Sequence, residues 1–451
     1  MRSSEIVLLG LVLVVSLFVF LTNPILGVPG CDSSIFIYVA RRMIEGQTPY
    51  LDVFDQKGML IYAIDAISWQ LGGVMGIWVA DVLAFVIALA LMTRITRVAP
   101  VALVVWIALY HFVACGGNMP EMWIVVFSAG AYVLAVNAKA DESWKWMVMG
   151  VCTAQILMLK LNMIAIVVPV GIFWILRGGS IKSALFAVAG LLIGLSPYAA
   201  YFSLKGAWGA LWEVYVQYNA QYALHGGWIP SITRAFYPVA VLWGVNLWMI
   251  LRRRGQLAWV NFAYLTVAWG LVLISGGSVR YYGPVLPACI VPLAFGFDAI
   301  RDAWPRMYRV GSLCVMMLVL VAIVGLATVR NHAAKAIRGQ YEELRSVKNE
   351  IADLKSVTVL GCDCHVYQVL DAVCPGRFPF QGTVAQCSEH YRRIMLADIE
   401  AEKSQYIILP KGVLNVEGSL GVKWAKDPIE KHYHLVAHSS MYEILERGQE
   451  K

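Results

Sequence analysis

The chain is written in long apolar runs separated by short polar turns. Crossing a hydrocarbon layer of ~30 Å as helix takes roughly 17 to 25 mainly apolar residues. Runs of that kind fall at 6–26, 74–92, 98–115, 122–138, 146–159, 161–176, 183–203, 232–251, 257–275, 282–299 and 310–328. The pattern predicts about eleven transmembrane helices. A further stretch, 59–71 (MLIYAIDAISWQL), is shorter, carries Asp65 and Gln70, and ends at Gly72-Gly73. It reads as an interfacial or re-entrant helix in a first outer loop spanning 27–73.

Beyond 330 the pattern changes to short mixed elements. It predicts a strand at 357–361 (VTVLG), a helix near 365–372, an amphipathic helix at 388–402, a strand at 405–409 (QYIIL) and a late strand near 433–437. The expected fold is therefore an α-helical polytopic membrane domain over 1–329, with juxtamembrane helices in the first outer loop, followed by a small soluble α/β domain over 330–451.

Composition agrees: 59% of residues are hydrophobic and 14% charged, against ~25% charged in soluble globular domains. Charge then orients the chain, because short cytoplasmic loops are enriched in Lys and Arg. With the N-terminus inside, every inner turn is basic: Arg94 and Arg97, Lys139 and Lys145, Arg177 and Lys182, Arg252 to Arg254, and Arg301, Arg306 and Arg309. Counting 59–71 as a full span would move most of these clusters outside. The expected location is the plasma (inner) membrane, multi-pass, with a cytoplasmic N-terminus and an extracytoplasmic C-terminal domain. The net charge of +7 reports topology, not nucleic-acid binding. The first segment reads as an uncleaved anchor, having a long apolar core, Pro29 near Cys31 and no A-x-A site.

Of nine cysteines, Cys362, Cys364, Cys374 and Cys387 fall in the outer domain, where an oxidising compartment favours disulfides. Cys31 and Cys115, both in outer loops, also admit a pairing, while Cys152, Cys289 and Cys314 lie in apolar segments. "CDCH" at 362–365 has no second ligand pair at zinc-site spacing.

Candidate chemistry concentrates in "GCDSSIFIYVARRMIEGQTPYLDVFDQKG", residues 30–58. Asp32 follows the first span and opens an amphipathic stretch, 33–46, with Ile35, Tyr38, Val39, Arg42 and Met43 on adjoining turns. "GQTPYLDVFDQKG" then supplies a turn, the aromatic Tyr50, the carboxylates Asp52 and Asp55, and Lys57. Such a set at the membrane boundary suits a substrate with a polar head and a lipid tail. Glu121 lies in the next outer loop, Lys160 between two apolar segments, and Arg280, Tyr281 and Tyr282 open a late span. The loop 204–231 adds aromatics with Glu213, Gln217, Asn219, Gln221 and His225.

Each residue has a plainer reading. Asp32 can cap its helix, and Asp52 and Asp55 can be solvated turn residues. Lys57 can snorkel, Arg280 can meet lipid headgroups, and the aromatic loop can be an interface belt. Glu121 can be an ordinary loop carboxylate and His111 a packed histidine. Lys160 is harder to dismiss, because a buried ammonium in a membrane is usually paired or functional.

The order of these features resembles the GT-C superfamily of polytopic glycosyltransferases that use polyprenyl-phosphate sugars, in particular the bacterial branch near aminoarabinose transferases and protein O-mannosyltransferases. The features are Asp32 after the first span, a juxtamembrane helix, Gly-x-x-x-Tyr-x-Asp-x-x-x-x-Lys over 46–57, Glu121, Lys160, Arg-Tyr-Tyr-x-Pro at 280–284 and a terminal α/β domain. Where the family has Lys-Pro-Pro, this chain has Lys57-Gly58-Met59, and Glu121 stands alone in place of an acidic pair.

The resemblance implies an inverting transfer from a polyprenyl-phosphate-sugar donor to a glycan, lipid or protein acceptor on the outer face of the membrane. Asp32 would be the base, Lys57 and Arg280 would hold phosphate, and Lys160 would share that role. Tyr50, Asp52, Asp55, His225, Tyr281 and Tyr282 would line the substrate. The only cofactor the reading admits is a divalent cation at Glu121. Two other readings stay open: a transporter or flippase of lipid-linked sugars, and a non-catalytic scaffold. Charge crowded into outer loops and the absence of an inverted repeat weigh against the transporter. Without a P-loop or an H-E-x-x-H motif, ATP-driven transport and zinc proteolysis lose support.

Overall fold

The computed structural model describes residues 3–137, 142–176, 179–225, 229–253, 255–274, 279–351, 354–361, 363–401, 403–417 and 421–448. Lys139, Arg177, Arg254 and Cys362 lie outside the described residues, as do the side chains of His225 and Arg253.

Helices dominate. The chain opens with α1 (Ser3–Leu17), α2 (Cys31–Ile44), α3 (Met59–Ile95), α4 (Pro100–Val113), α5 (Pro120–Asn137) and α6 (Ser143–Leu159). A 3₁₀ turn, Leu161–Ile166, leads to α7 (Val167–Leu176) and α8 (Ile181–Leu204). The second loop region follows as α9 (Trp208–Leu211), a π-helical stretch Trp212–Tyr218 and α10 (Asn219–His225). Then come α11 (Ile229–Arg253), α12 (Gln256–Ile274), a 3₁₀ turn Val279–Val285, α13 (Leu286–Ala303) and the long α14 (Pro305–Glu350).

Among the described residues six helices are long and apolar enough to cross a membrane, and 3–17, 100–113, 161–176 and 240–252 are shorter apolar helices. Leu71, Leu185, Leu192, Val310 and Leu318 project outward. An outward face of bare aliphatic side chains suits lipid and not water. The chain is a multi-pass membrane protein.

Three local features shape the end of the bundle where the candidate residues gather. First, α1 stops well short of the predicted 6–26, because Asn23 draws the chain into a turn. Its amide donates to Phe18 O and Phe20 O, while its carbonyl oxygen accepts from the amides of Ile25 and Leu26. Arg330 of α14 donates to Val19 O at 3.0 Å, and Arg338 donates to the carbonyls of Ile25 and Leu26. Second, α3 is two helices joined at Gly72-Gly73, where Gly73 takes φ 57, ψ −133. Only glycine adopts that conformation freely, so 59–71 is a separate helix that turns back into the following span. Third, Lys160 is extended (φ −160, ψ 113) and ends α6, leaving two apolar pieces in place of one continuous helix.

The C-terminal domain carries β1 (Val357–Val359), β2 (Tyr406–Pro410), β3 (Tyr433–His438) and β4 (Tyr442–Arg447) in the order β1-β2-β4-β3. β1 and β2 are parallel, with Val357 opposite Tyr406; the other pairings are antiparallel. Helices α15 (His365–Leu370), α16 (Gly382–Cys387), α17 (Glu389–Glu400) and α18 (Lys426–His432) surround the sheet. The expected strands and helices are present. β4 was missed: half of YEILER is charged, yet it pairs on both sides.

The expected disulfides are not. No disulfide joins any of the described cysteines. The Cys364 thiol donates to Pro379 O and the Cys374 thiol to Phe378 O, so each is satisfied by a nearby carbonyl. Burial raises the Cys374 and Cys387 thiols above the ordinary thiol range, which keeps them protonated and unreactive.

The domain sits directly on α2 and the loop after it. The Tyr38 ring packs at a tilt against Tyr367, centroids 4.7 Å apart, and its hydroxyl accepts the Cys374 amide at 3.0 Å. Phe54 is wedged against Tyr218, Phe378 and Tyr391, with ring centroids 4.9 to 5.2 Å away.

Candidate functional site

Asp32 stands in the first turn of α2, where a carboxylate is favoured by the helix dipole. It does not cap: the N-cap position is Gly30, and no side chain caps the helix. Its Oδ2 instead forms an ion pair with Nη1 of Arg280, and the two side chains are 31% and 29% exposed. Arg280 belongs to the 3₁₀ turn between α12 and α13, 248 positions away in sequence (280 − 32).

That turn also presents Tyr281. Lys160 Nζ lies 3.6 Å from the centre of the Tyr281 ring, and the Arg280 guanidinium 5.5 Å from it. Lys160 reaches further to Glu121 Oε1, 3.2 Å away. The helical break at 160 makes this reach possible, since an extended residue aims its side chain off the helix axis. A Cβ on Gly283 would lie 3.1 Å from Glu121 Cβ, so the turn presses close against the start of α5.

Lys57 joins from the first loop. The amide of Gly58 donates to Leu159 O at 3.1 Å, setting the backbone of Lys57 beside that of Lys160. The loop is tied on every side. The Tyr50 hydroxyl donates to Lys57 O at 2.7 Å, the Tyr62 hydroxyl to Asp55 Oδ2 at 2.7 Å, and the Asn219 amide to Gln56 O at 2.7 Å. Burial lifts the Asp55 carboxyl above the ordinary carboxylate range. For Lys57 burial works against the charge, but Asp55, Tyr281, Tyr222 and Glu121 outweigh it, so the net shift is upward and the ammonium stays protonated.

The structure thus brings together Asp32, Arg280, Tyr281, Lys160, Glu121, Lys57 and Asp55, with Tyr50 buried beneath the loop. Tyr282 follows in the same turn and is half-buried. Asp52 plays a different part: exposed, it accepts the Thr48 amide at 2.7 Å and closes its own turn. A divalent ion fits poorly at Glu121. One of its oxygens already faces the Lys160 ammonium, and no group of three or more His, Cys, Asp or Glu side chains among the described residues is placed to hold a metal.

Three buried polar atoms around this cluster have no hydrogen-bond partner among the described residues: Arg280 Nε, Glu121 Oε2 and Gln56 Oε1. Unmet buried donors and acceptors are uncommon in folded proteins and call for an explanation. Arg280 and Glu121 belong to the cluster itself, and Gln56 directly precedes Lys57.

Sequence reasoning missed the support beneath Asp32. Residues 115–118 all have positive φ, from 48° to 105°. Asp81 of α3 holds this loop, its Oδ1 accepting the Asn118 amide at 2.7 Å and its Oδ2 the Thr22 hydroxyl at 2.6 Å. The Asn118 side chain donates to Asp65 Oδ2 at 2.9 Å and to the Ser33 hydroxyl at 3.0 Å. Ser33 neighbours Asp32, so the network links the base of α2 to the loop that leads into Glu121. An acid within an apolar helix was the available signal.

No family model and no curated protein matches this sequence. Solved structures do. ArnT from Cupriavidus metallidurans bound to undecaprenyl phosphate superposes with a TM-score of 0.68 at 12% identity, over 98% of this chain and 97% of that one. The same protein in its apo state gives 0.67 over the same shares at 12% identity. The oligosaccharyltransferase AglB from Archaeoglobus fulgidus, in complex with an inhibitory peptide and a dolichol-phosphate, gives 0.50 at 10% identity, over 91% of this chain and 69% of that one. The likeness is one of fold, shared with ArnT along nearly the whole of both chains.

Proposed function

We propose that the protein is an inverting glycosyltransferase that moves a sugar from a polyprenyl-phosphate donor to a hydroxyl of a cell-envelope acceptor, working on the extracytoplasmic face of the membrane. The observation that carries this reading is the convergence of three cations, Arg280, Lys160 and Lys57, around Tyr281 beside one carboxylate, Asp32. The fold shared with ArnT and AglB, whose structures hold undecaprenyl phosphate and a dolichol-phosphate, supports it.

In this reading a polyprenyl phosphate enters with its oxyanions toward Lys57, Lys160 and Arg280. Arg280 is the hinge of the arrangement. Its planar fork keeps Nη1 on Asp32, and Nε, without a hydrogen-bond partner among the described residues, is left for phosphate. Asp32 accepts the proton of the acceptor hydroxyl as that oxygen bonds to the anomeric carbon. The bond from that carbon to the phosphate oxygen breaks, its electron pair leaves with the phosphate, and the cations hold the developing charge. Glu121 Oε2 and Gln56 Oε1 are acceptors suited to sugar or acceptor hydroxyls.

Undecaprenyl phosphate should therefore bind the full-length protein in nanodiscs. Arg280→Ala and Lys160→Ala should each weaken that binding roughly 10- to 100-fold, the range set by ~1.5–3 kcal/mol for a hydrogen bond to a charged group. A lipid affinity untouched by both substitutions would remove the phosphate site from the account.

A further inference from the structure

The loop that carries Lys57 is held by a residue of the C-terminal domain. Tyr50, whose side chain is fully buried, stands at φ 70, a conformation that costs a non-glycine residue energy and persists only when neighbours enforce it. Arg377 is the neighbour placed to do so. Its Nε and Nη2 donate to Tyr50 O at 3.0 and 2.6 Å, and its Nη1 pairs with Glu213 Oε1 at 3.3 Å. Its own carbonyl accepts the Phe54 amide at 2.7 Å. Glu213 is fixed in turn by the Tyr391 hydroxyl at 2.7 Å. One guanidinium thus locks the first loop, the π-helical stretch and the C-terminal domain together. Tyr50 then passes the constraint on, because its hydroxyl holds Lys57 O.

We propose that Arg377 is a positioning residue that fixes Lys57 in the phosphate site by clamping Tyr50, so that the C-terminal domain completes the donor site. The kinetic part rests on the glycosyltransferase reading; the clamp itself does not. A lysine replaces the arginine only in part, since a point charge on a flexible stem cannot serve Tyr50 O and Glu213 together in one plane.

The test uses full-length Arg377→Ala and Arg377→Lys in nanodiscs, with two readouts. Amide hydrogen exchange over 46–58 should be about tenfold faster in Arg377→Ala and intermediate in Arg377→Lys. The Kd for undecaprenyl phosphate should rise about tenfold in Arg377→Ala, as should the donor KM, while kcat at saturating donor stays within about twofold. Unchanged exchange over 46–58 overturns the clamp, and faster exchange with unchanged lipid affinity overturns the link to Lys57. If the wild-type protein binds no undecaprenyl phosphate, the functional reading falls and the exchange readout alone decides the clamp. Should Arg377→Ala fail to accumulate, Arg377→Lys is judged by the same two readouts.

Discussion

Asp32→Asn is expected to lower kcat at saturating donor by ~10²- to 10⁴-fold, the loss typical of a missing general base. The substitution keeps the size and polarity of the side chain and removes only the proton acceptor and its charge. The structure sharpens the comparison with a purely structural role. Asp32 does not cap α2 but pairs with Arg280. Were it merely a partner for that arginine, the loss would fall on donor binding and thermal stability, with kcat near normal. A base predicts the reverse: donor affinity changed little, because freeing Arg280 leaves a cation for phosphate, and chemistry nearly abolished. Steady-state kinetics with the donor saturated, alongside thermal melting, separates the two.

Gly58→Ala should be the next most damaging change. A Cβ there would lie 2.0 Å from Met158 O and 2.4 Å from Met158 C, both backbone atoms. Neither atom can swing away as a side-chain tip does, so the first loop must move off the 158–160 segment. The steric cost, about 1–3 kcal/mol for overpacking of this kind, falls where Lys57 and Lys160 are held side by side. The expected result is a donor KM raised at least about tenfold with a lowered melting temperature. Gly46→Ala, where nothing lies within 4 Å of a new Cβ, tests the other kind of glycine: there the strain comes only from φ 95. Normal donor affinity in Gly58→Ala would show that the close contact is not what sets the lysine pair.

Much of the candidate cluster was legible because membranes make charge conspicuous. Lys160 between apolar runs, and the carboxylates and Lys57 in the first loop, stood out against segments that carry almost no charge. The juxtamembrane helix read at 33–46 is α2, Cys31–Ile44, since its amphipathic spacing is a local property. Gly72-Gly73 marked a real break for the same reason.

What escaped was long-range pairing. Nothing local says that Arg377 grips a carbonyl 327 positions away, or that Asp65 and Asp81 meet at Asn118. The cysteines misled because spacing and compartment are blind to direction: Cys364 and Cys374 each face a carbonyl. Helix α1 was overestimated because apolar composition continued to Leu21 while Asn23 bent the chain.

The most direct measurement is transfer of radiolabelled sugar from a panel of polyprenyl-phosphate sugars by the purified wild-type protein in lipid nanodiscs, using cell-envelope glycan, lipid and protein fractions as acceptors. The expected result is label moving to at least one acceptor fraction with inversion at the anomeric carbon, and release of free polyprenyl phosphate in equal amount. No transfer from any donor by a protein that binds undecaprenyl phosphate, or transfer with retained configuration, would contradict it.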